Sequence, residues 1–290
     1  MDKKAQQRVL KSILLREVSN LCRHIDRRWN EPIVETLQAI RETESHAVFF
    51  GGTLRSLLVS RRFYGRPGRP RDVDIVVAGT TLQTLKERFG ELVMRETRFG
   101  GLHIHRKNWQ FDLWPLHRTW AFVNDNVHNP GFAALPFTTF FNLEAIAVDV
   151  WPMSGRARRI YSGDDQFFDG ILEKTLEINR EENPFPTLCV VRSLVMAAAL
   201  DFAIGPKLAR YIVREGTGIQ RDELEDVQRE HYGAVRRHGK TLKEWINRIA
   251  ECHSRDENAS VRLSLQRQLR LWPEDDASPC VHVRVLTEQP

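Results

Sequence analysis

Cysteine is scarce: four residues in 290, at positions 22, 189, 252 and 280. None lies at metal-ligand spacing from another, and the density is far below that of a disulfide-stapled secreted fold, so they read as reduced thiols. Long apolar runs are missing too. No stretch approaches the length needed to span a bilayer. The opening MDKKAQQRVL has no apolar core of a secretory signal. The expectation is a cytoplasmic chain with no membrane partner. Acidic residues are the minority charge, 38 against 43 Lys and Arg, for a net charge of +5 and a sequence pI near 9.2. That balance suits a polyanionic partner. No internal repeat or low-complexity block appears. What remains is ordinary globular composition, 41% apolar and 28% charged, in a chain long enough for two domains.

The chemistry concentrates in residues 47–116. Ala47 to Phe50 reads as a short buried strand closed by Gly51-Gly52, and Thr53 onward has helical spacing with leucines at 54, 57 and 58. Glycines between a strand and a helix let a ligand approach the backbone, and the helix start presents unpaired N–H groups to phosphate. In Asp72-Val73-Asp74-Ile75-Val76-Val77 the apolar run predicts a central strand, with Asp72 and Asp74 on one face. Like charges held that close stay ionised only with a cation between them. Carboxylates are hard oxygen ligands, suited to magnesium or manganese. A third strand, Trp109 to Trp114, carries Asp112 mid-run in apolar surroundings, where an isolated carboxylate is costly. Three such groups can hold two metal ions, one activating an attacking hydroxyl and one on a triphosphate and its leaving group.

Glycine pair, Asp-x-Asp and late single Asp, in that order, resemble the DNA polymerase beta-like nucleotidyltransferase superfamily. The nearest likeness is to the head and neck of bacterial poly(A) polymerases and CCA-adding tRNA nucleotidyltransferases. GGTLRSLL stands where that family has GGxVRDxLLG, keeping Gly51, Gly52 and Arg55 and placing Ser56 at the acidic position. FFNLEAIAVDV (140–150) is similar to RDFTINALAYD, with Thr139 and Phe140 at its basic-acidic pair. NPFPTLCVVRSLVMAAALDFAI (183–204) is similar to the neck segment EDPLRILRAxRFAARLGFxI. There the EDxxR base-selecting positions fall on Phe185, Pro186, Thr187, Leu188 and Cys189, with no charge among them.

The resemblance covers roughly residues 45–215. It implies an α/β (α+β) head with a mixed β-sheet over residues 1–162, and an all-helical neck and C-terminal region over 163–290. The implied reaction is transfer of a nucleoside monophosphate from a nucleoside triphosphate to a hydroxyl, releasing pyrophosphate. Asp72, Asp74 and Asp112 are then the catalytic metal ligands, for two Mg2+ or Mn2+ ions. Gly51, Gly52 and Arg55 receive the triphosphate. Arg192, on the neck helix, meets phosphate or base, or else forms a structural ion pair. An RNA 3′ end, tRNA-like, is the favoured acceptor. The alternatives are transfer to a protein or small-molecule hydroxyl, and a nucleotide- or RNA-binding module without turnover.

Other segments carry plainer expectations. Residues 5–30 predict a long amphipathic helix on Leu10, Leu14, Val18, Leu21, Ile25 and Trp29. Pro32 suits the first turn of a second helix. Residues 1–30 hold eight Lys and Arg against three Asp and Glu. RRFYGRPGRPR (61–71) reads as a loop of five arginines reaching a triphosphate or a nucleic-acid backbone, or merely solvated. Leu82, Leu85 and Phe89 predict a helix stopped by Gly90. Residues 91–116 predict a hairpin turning at Lys107-Asn108, with His103 and His105 as polar-face residues available to bond substrate. Residues 121–137 read as a loop over the site, with Asp125 solvated; Glu144 and Asp149 read as structural pairs. A neck helix is expected on Leu188, Val191, Val195, Ala198 and Phe202. Helices follow over 206–272, anchored by Leu224, Val227, Trp245, Ile246, Ile249, Leu265, Leu269 and Trp272, before a loose tail.

Overall fold

The computed structural model describes residues 2–23, 30–97, 99–152, 157–266 and 282–286. The chain divides into two compact units, Met1–Leu172 and Glu173–Pro290.

The first unit is built on a mixed sheet. Helices α1 (Lys3–Leu21) and α2 (Glu31–Arg41) precede strand β1 (His46–Phe50), helix α3 (Gly52–Tyr64), strand β2 (Asp72–Ala78) and helix α4 (Leu82–Phe89). A meander follows: β3 (Val93–Glu96), β4 (Leu102–Arg106) and β5 (Trp109–Pro115). After the short helix α5 (Trp120–Asn124) come β6 (Ala147–Asp149), β7 (Ile160–Tyr161) and α6 (Gln166–Glu173). The seven strands lie in the order β3-β4-β5-β2-β1-β6-β7. Only β2 and β5 run parallel; β2–β1 and β5–β4 are antiparallel pairs.

Alternation sorts the side chains of these strands onto two faces. Ala47, Phe49, Val73, Ile75, Val77, Leu102, Ile104, Phe111 and Leu113 share one face, all buried, and helices pack behind it. Leu10, Leu14, Val18 and Leu21 form the buried stripe of α1, against α3. The opposite face is divided. One end bears the aspartates; the other is an apolar cluster of Val48, Val76, Leu116, Phe122, Leu135 and Ala147.

Several expectations are met here. Pro32 occupies the first turn of α2, and α4 buries Leu82, Leu85 and Phe89 before Gly90. The hairpin turns at Lys107, with φ +53. Others are corrected. The expected 5–30 helix ends at Leu21, and Ile25 and Trp29 lie outside the described residues. The expected loop 121–137 instead holds α5 and a 3-10 segment, Phe132–Thr138, because Phe122 and Leu135 are drawn into the apolar cluster. Arg61 to Tyr64 form the last turn of α3, not a loop, and the chain leaves the helix at Gly65 with φ +64.

The second unit is mainly helical: α7 (Pro186–Leu200), α8 (Pro206–Gly216), α9 (Arg221–Tyr232) and α10 (Gly239–Arg255). Four short strands accompany them, β8 (Thr175–Leu176), β9 (Ala203–Ile204), β10 (Val261–Gln266) and β11 (His282–Leu286). Leu224, Trp245, Ile246 and Ile249 are buried as expected. Leu265 is on a strand rather than a helix, while Leu269 and Trp272 lie outside the described residues. In α7 the buried positions are Cys189, Val190, Val191, Ser193, Leu194 and Ala197. Leu188, Val195 and Ala198 of the expected stripe are only half-buried. This helix is apolar nearly all round, so periodicity alone did not define its inner face. Within the expected tail, His282–Leu286 pairs with β10 and the remaining residues lie outside the described set.

Candidate active site

The turn between β1 and α3 is shaped by glycine. Gly51 has φ +54 and ψ −117, a conformation that strains any residue with a Cβ. Its N–H donates to the Ile146 carbonyl at 3.0 Å and its carbonyl accepts from Arg55 N–H at 3.1 Å. At Gly52 a Cβ would sit 3.3 Å from Asp74 Oδ2 and 3.4 Å from Arg55 Nη2. The glycine pair therefore brings the start of α3 close against the second aspartate.

The three aspartates converge on one face. Strands β2 and β5 are parallel and in register, with Asp74 opposite Asp112 and Asp72 opposite Gln110. Neighbours in register point the same way. The Thr53 hydroxyl, fully buried, joins β2 to the turn. It accepts from Asp74 N–H at 2.7 Å and lies 3.3 Å from both the Asp72 carbonyl and Asp74 Oδ2. Burial, then the charges of Asp112, Asp72 and Glu144, push the Asp74 carboxyl up to about 8.

Three basic side chains stand around this acidic group. Arg55 Nη1 donates to Glu144 Oε1 at 2.6 Å, the two side chains 18% and 13% exposed. Arg71 binds Asp72 Oδ2 through Nη2 at 2.6 Å and Nε at 2.7 Å. His103 Nδ1 lies 2.7 Å from Asp112 Oδ1, and that bond raises the histidine above its usual value. Among the described residues no three His, Cys, Asp or Glu side chains stand gathered as a metal-ligand group. Asp72 and Asp112 are each turned to a base of the chain instead. Two observations nevertheless fit a divalent cation. Asp72 Oδ1 is buried without a hydrogen-bond partner among the described residues. Asp74, near the charges of Asp112, Asp72 and Glu144, has no ion pair among the described residues. The donors are hard oxygens, as magnesium and manganese require.

Sequence reasoning placed Asp72, Asp74, Asp112, Gly51, Gly52 and Arg55, and the fold brings these together. Arg192 lies on α7 in the second unit. Two neighbours of the site were passed over as polar or structural residues. Glu144 is paired as expected, and its partner is Arg55 itself. Asp149 accepts from Tyr161 Oη at 3.2 Å and from Arg159 N–H at 3.1 Å, a structural pairing. His103, read as a residue of a polar strand face, bonds a candidate catalytic carboxylate. The hairpin arithmetic held that signal: a turn at Lys107-Asn108 sets 103 across from 112.

Solved structures of CCA-adding enzymes and a tRNA nucleotidyltransferase share the fold of this chain. A CCA-adding enzyme in complex with CTP aligns with TM-score 0.56 and 16% identity, over 81% of this chain and 55% of that one. The Thermotoga maritima CCA-adding enzyme complexed with tRNA aligns with TM-score 0.52 and 16% identity, over 81% and 54%. A tRNA nucleotidyltransferase complexed with a primer tRNA and an incoming ATP analogue aligns with TM-score 0.50 and 16% identity, over 74% and 60%. At such identity the likeness is one of fold, and the chain spans 54–60% of the length of these structures. No family model and no curated protein matches the sequence. No helix among the described residues is long and apolar enough to cross a membrane.

Proposed function

We propose that this chain is a metal-dependent nucleotidyltransferase that moves a nucleoside monophosphate from a nucleoside triphosphate to a hydroxyl, releasing pyrophosphate. One observation carries the reading: Asp74 and Asp112 stand opposite each other in register, on the face against which Gly52 brings the start of α3. Phosphoryl transfer asks for alignment and charge neutralisation rather than covalent help. The start of α3 offers N–H groups to the triphosphate, and Arg55, held by Glu144, adds a guanidinium above the same turn. Asp72 and Asp74 would hold two Mg2+ or Mn2+ ions, with Asp112 completing the set. Bound there, the ions would supply activation of the acceptor hydroxyl and neutralisation of the triphosphate. Asp112, fixed by His103, would orient that hydroxyl.

The acceptor we favour is an RNA 3′ end, supported by the basic charge and by the RNA-bound structures that share the fold. Arg192 is assigned to the nucleotide on the neck resemblance, and the cytoplasm is the proposed place of work. The neck positions that resemble the base-selecting motif are uncharged, and no base is assigned. Incubation with labelled triphosphates, magnesium and total RNA tests the reading. Labelled RNA supports it; labelled protein moves the acceptor to a protein hydroxyl. Triphosphate binding with no transfer to any acceptor reduces the chain to a binding module.

A further inference from the structure

Most basic side chains around the sheet are spoken for. Arg55 is paired with Glu144, Arg61 with the buried Glu17, Arg71 with Asp72, Arg88 with Glu42, and Arg106 with Glu35. The three arginines between positions 61 and 71 are not: none of the described ion pairs involves Arg62, Arg66 or Arg69. Each lies by a ring instead, and Arg69 Nη2 also donates to the Asn108 carbonyl at 3.3 Å. The Arg62 guanidinium lies 5.8 Å from the centre of Phe63, Arg66 lies 5.8 Å from Tyr64, and Arg69 lies 4.9 Å from Trp109. A guanidinium laid on an aromatic face keeps its edge N–H groups for another acceptor and loses little freedom on binding one.

The segment is held in place as well. Gly68 runs so close to α3 that a Cβ there would fall 2.5 Å from the Ser56 carbonyl and 2.7 Å from Leu57 Cα. Gly68 and Pro70 are buried while Arg62, Arg66 and Arg69 are exposed. Three residues after Arg69 the chain enters β2, and Asp72 is its first residue.

We infer that Arg62, Arg66 and Arg69 form a track for the phosphate backbone of single-stranded RNA, leading its 3′ end toward the aspartates. Tyr64, 57% exposed, adds a ring on which an unpaired base can stack. The inference rests on the RNA-acceptor reading above, and names the surface that reading lacks. Arg62 lies in the last turn of α3, about 15 Å along the helix from the glycine turn that would seat a triphosphate, so a backbone suits it better.

The test is binding, apart from turnover. Anisotropy of a fluorescein-labelled oligoadenylate is followed over a sodium chloride series without divalent ions, for the wild type, R62Q/R66Q/R69Q and R62K/R66K/R69K. Three lost phosphate contacts on a single strand should flatten the slope of log K against log salt by about 2. The lysine variant should hold the slope, and ATP binding should persist in both. Thermal unfolding within a few degrees of wild type checks the fold. An unchanged slope in the glutamine variant overturns the track while leaving the RNA reading standing. Loss of ATP binding in that variant overturns it in favour of the triphosphate. A wild type that binds no RNA removes both the track and the RNA acceptor.

Discussion

The two faces of the seven-stranded sheet obey opposite rules. On the back, Phe49, Val73, Ile75, Phe111 and Leu113 are fully buried under helices, with no titratable side chain among them. On the front, the same strands carry Asp72, Asp74 and Asp112, with the Asp74 carboxyl raised to about 8 and a buried Asp72 oxygen without a hydrogen-bond partner among the described residues. The first set lowers the free energy of folding by burial, whereas ionised Asp74 raises it in the absence of a cation. Strands whose one face is so well packed can hold like charges together on the other. Stability and chemistry are thus separated by the two-residue repeat of a strand.

Asp74→Asn separates them most sharply. The unfolded chain ionises this aspartate near pH 4, whereas the fold holds its proton until about pH 8. Between those limits the folded state binds more protons, so stability falls as pH rises, and the loss is complete above about pH 8. Its upper bound is about 6 kcal/mol. Urea titrations without divalent ions should show that decline in the wild type and lose it in Asp74→Asn, while transfer activity disappears. Magnesium or manganese should raise the wild-type Tm at pH 8 and leave that of the variant nearly unmoved. A wild type as stable at pH 8 as at pH 5 would contradict the assignment.

Phe111→Ala attacks the other face. Its ring is fully buried, and truncation should cost about 3–5 kcal/mol in urea titrations. The metal-induced rise in Tm should survive wherever the variant still folds. Gly51→Ala comes next: with φ +54, the new Cβ should cost about 1–3 kcal/mol, and triphosphate affinity should weaken with it. Glu144→Gln should change stability least. The Arg55 guanidinium would lose its charged partner, so the KM for triphosphate should shift more than kcat. An equal fall in both would assign Glu144 to the reaction itself.

Much of this was legible before any coordinates. The β2 and β5 aspartates announce themselves because a carboxylate inside an apolar strand demands a reason, and glycines between strand and helix demand another. A strand neighbouring the aspartate pair is expected for Asp112, but the register that sets it opposite Asp74 was not legible, since register between distant strands is a long-range property. Glu144 reaches Arg55 across 89 residues with no local signal. His103 was within reach, for a hairpin with a known turn fixes which residues face each other. In α7 the pattern was too apolar to choose a side. In the second unit β8 and β9 have two residues each, too brief for any alternation to show.

Thr53 carries a consequence for how substrate would be sensed. A single buried hydroxyl bridges the glycine bend and the backbone between Asp72 and Asp74, so neither can shift without dragging the other. The proposed phosphate cradle and the proposed cation seat would then move as one. A triphosphate settling slightly askew at the bend would misalign the carboxylates in the same stroke, and fidelity to the reacting group would then need no moving part.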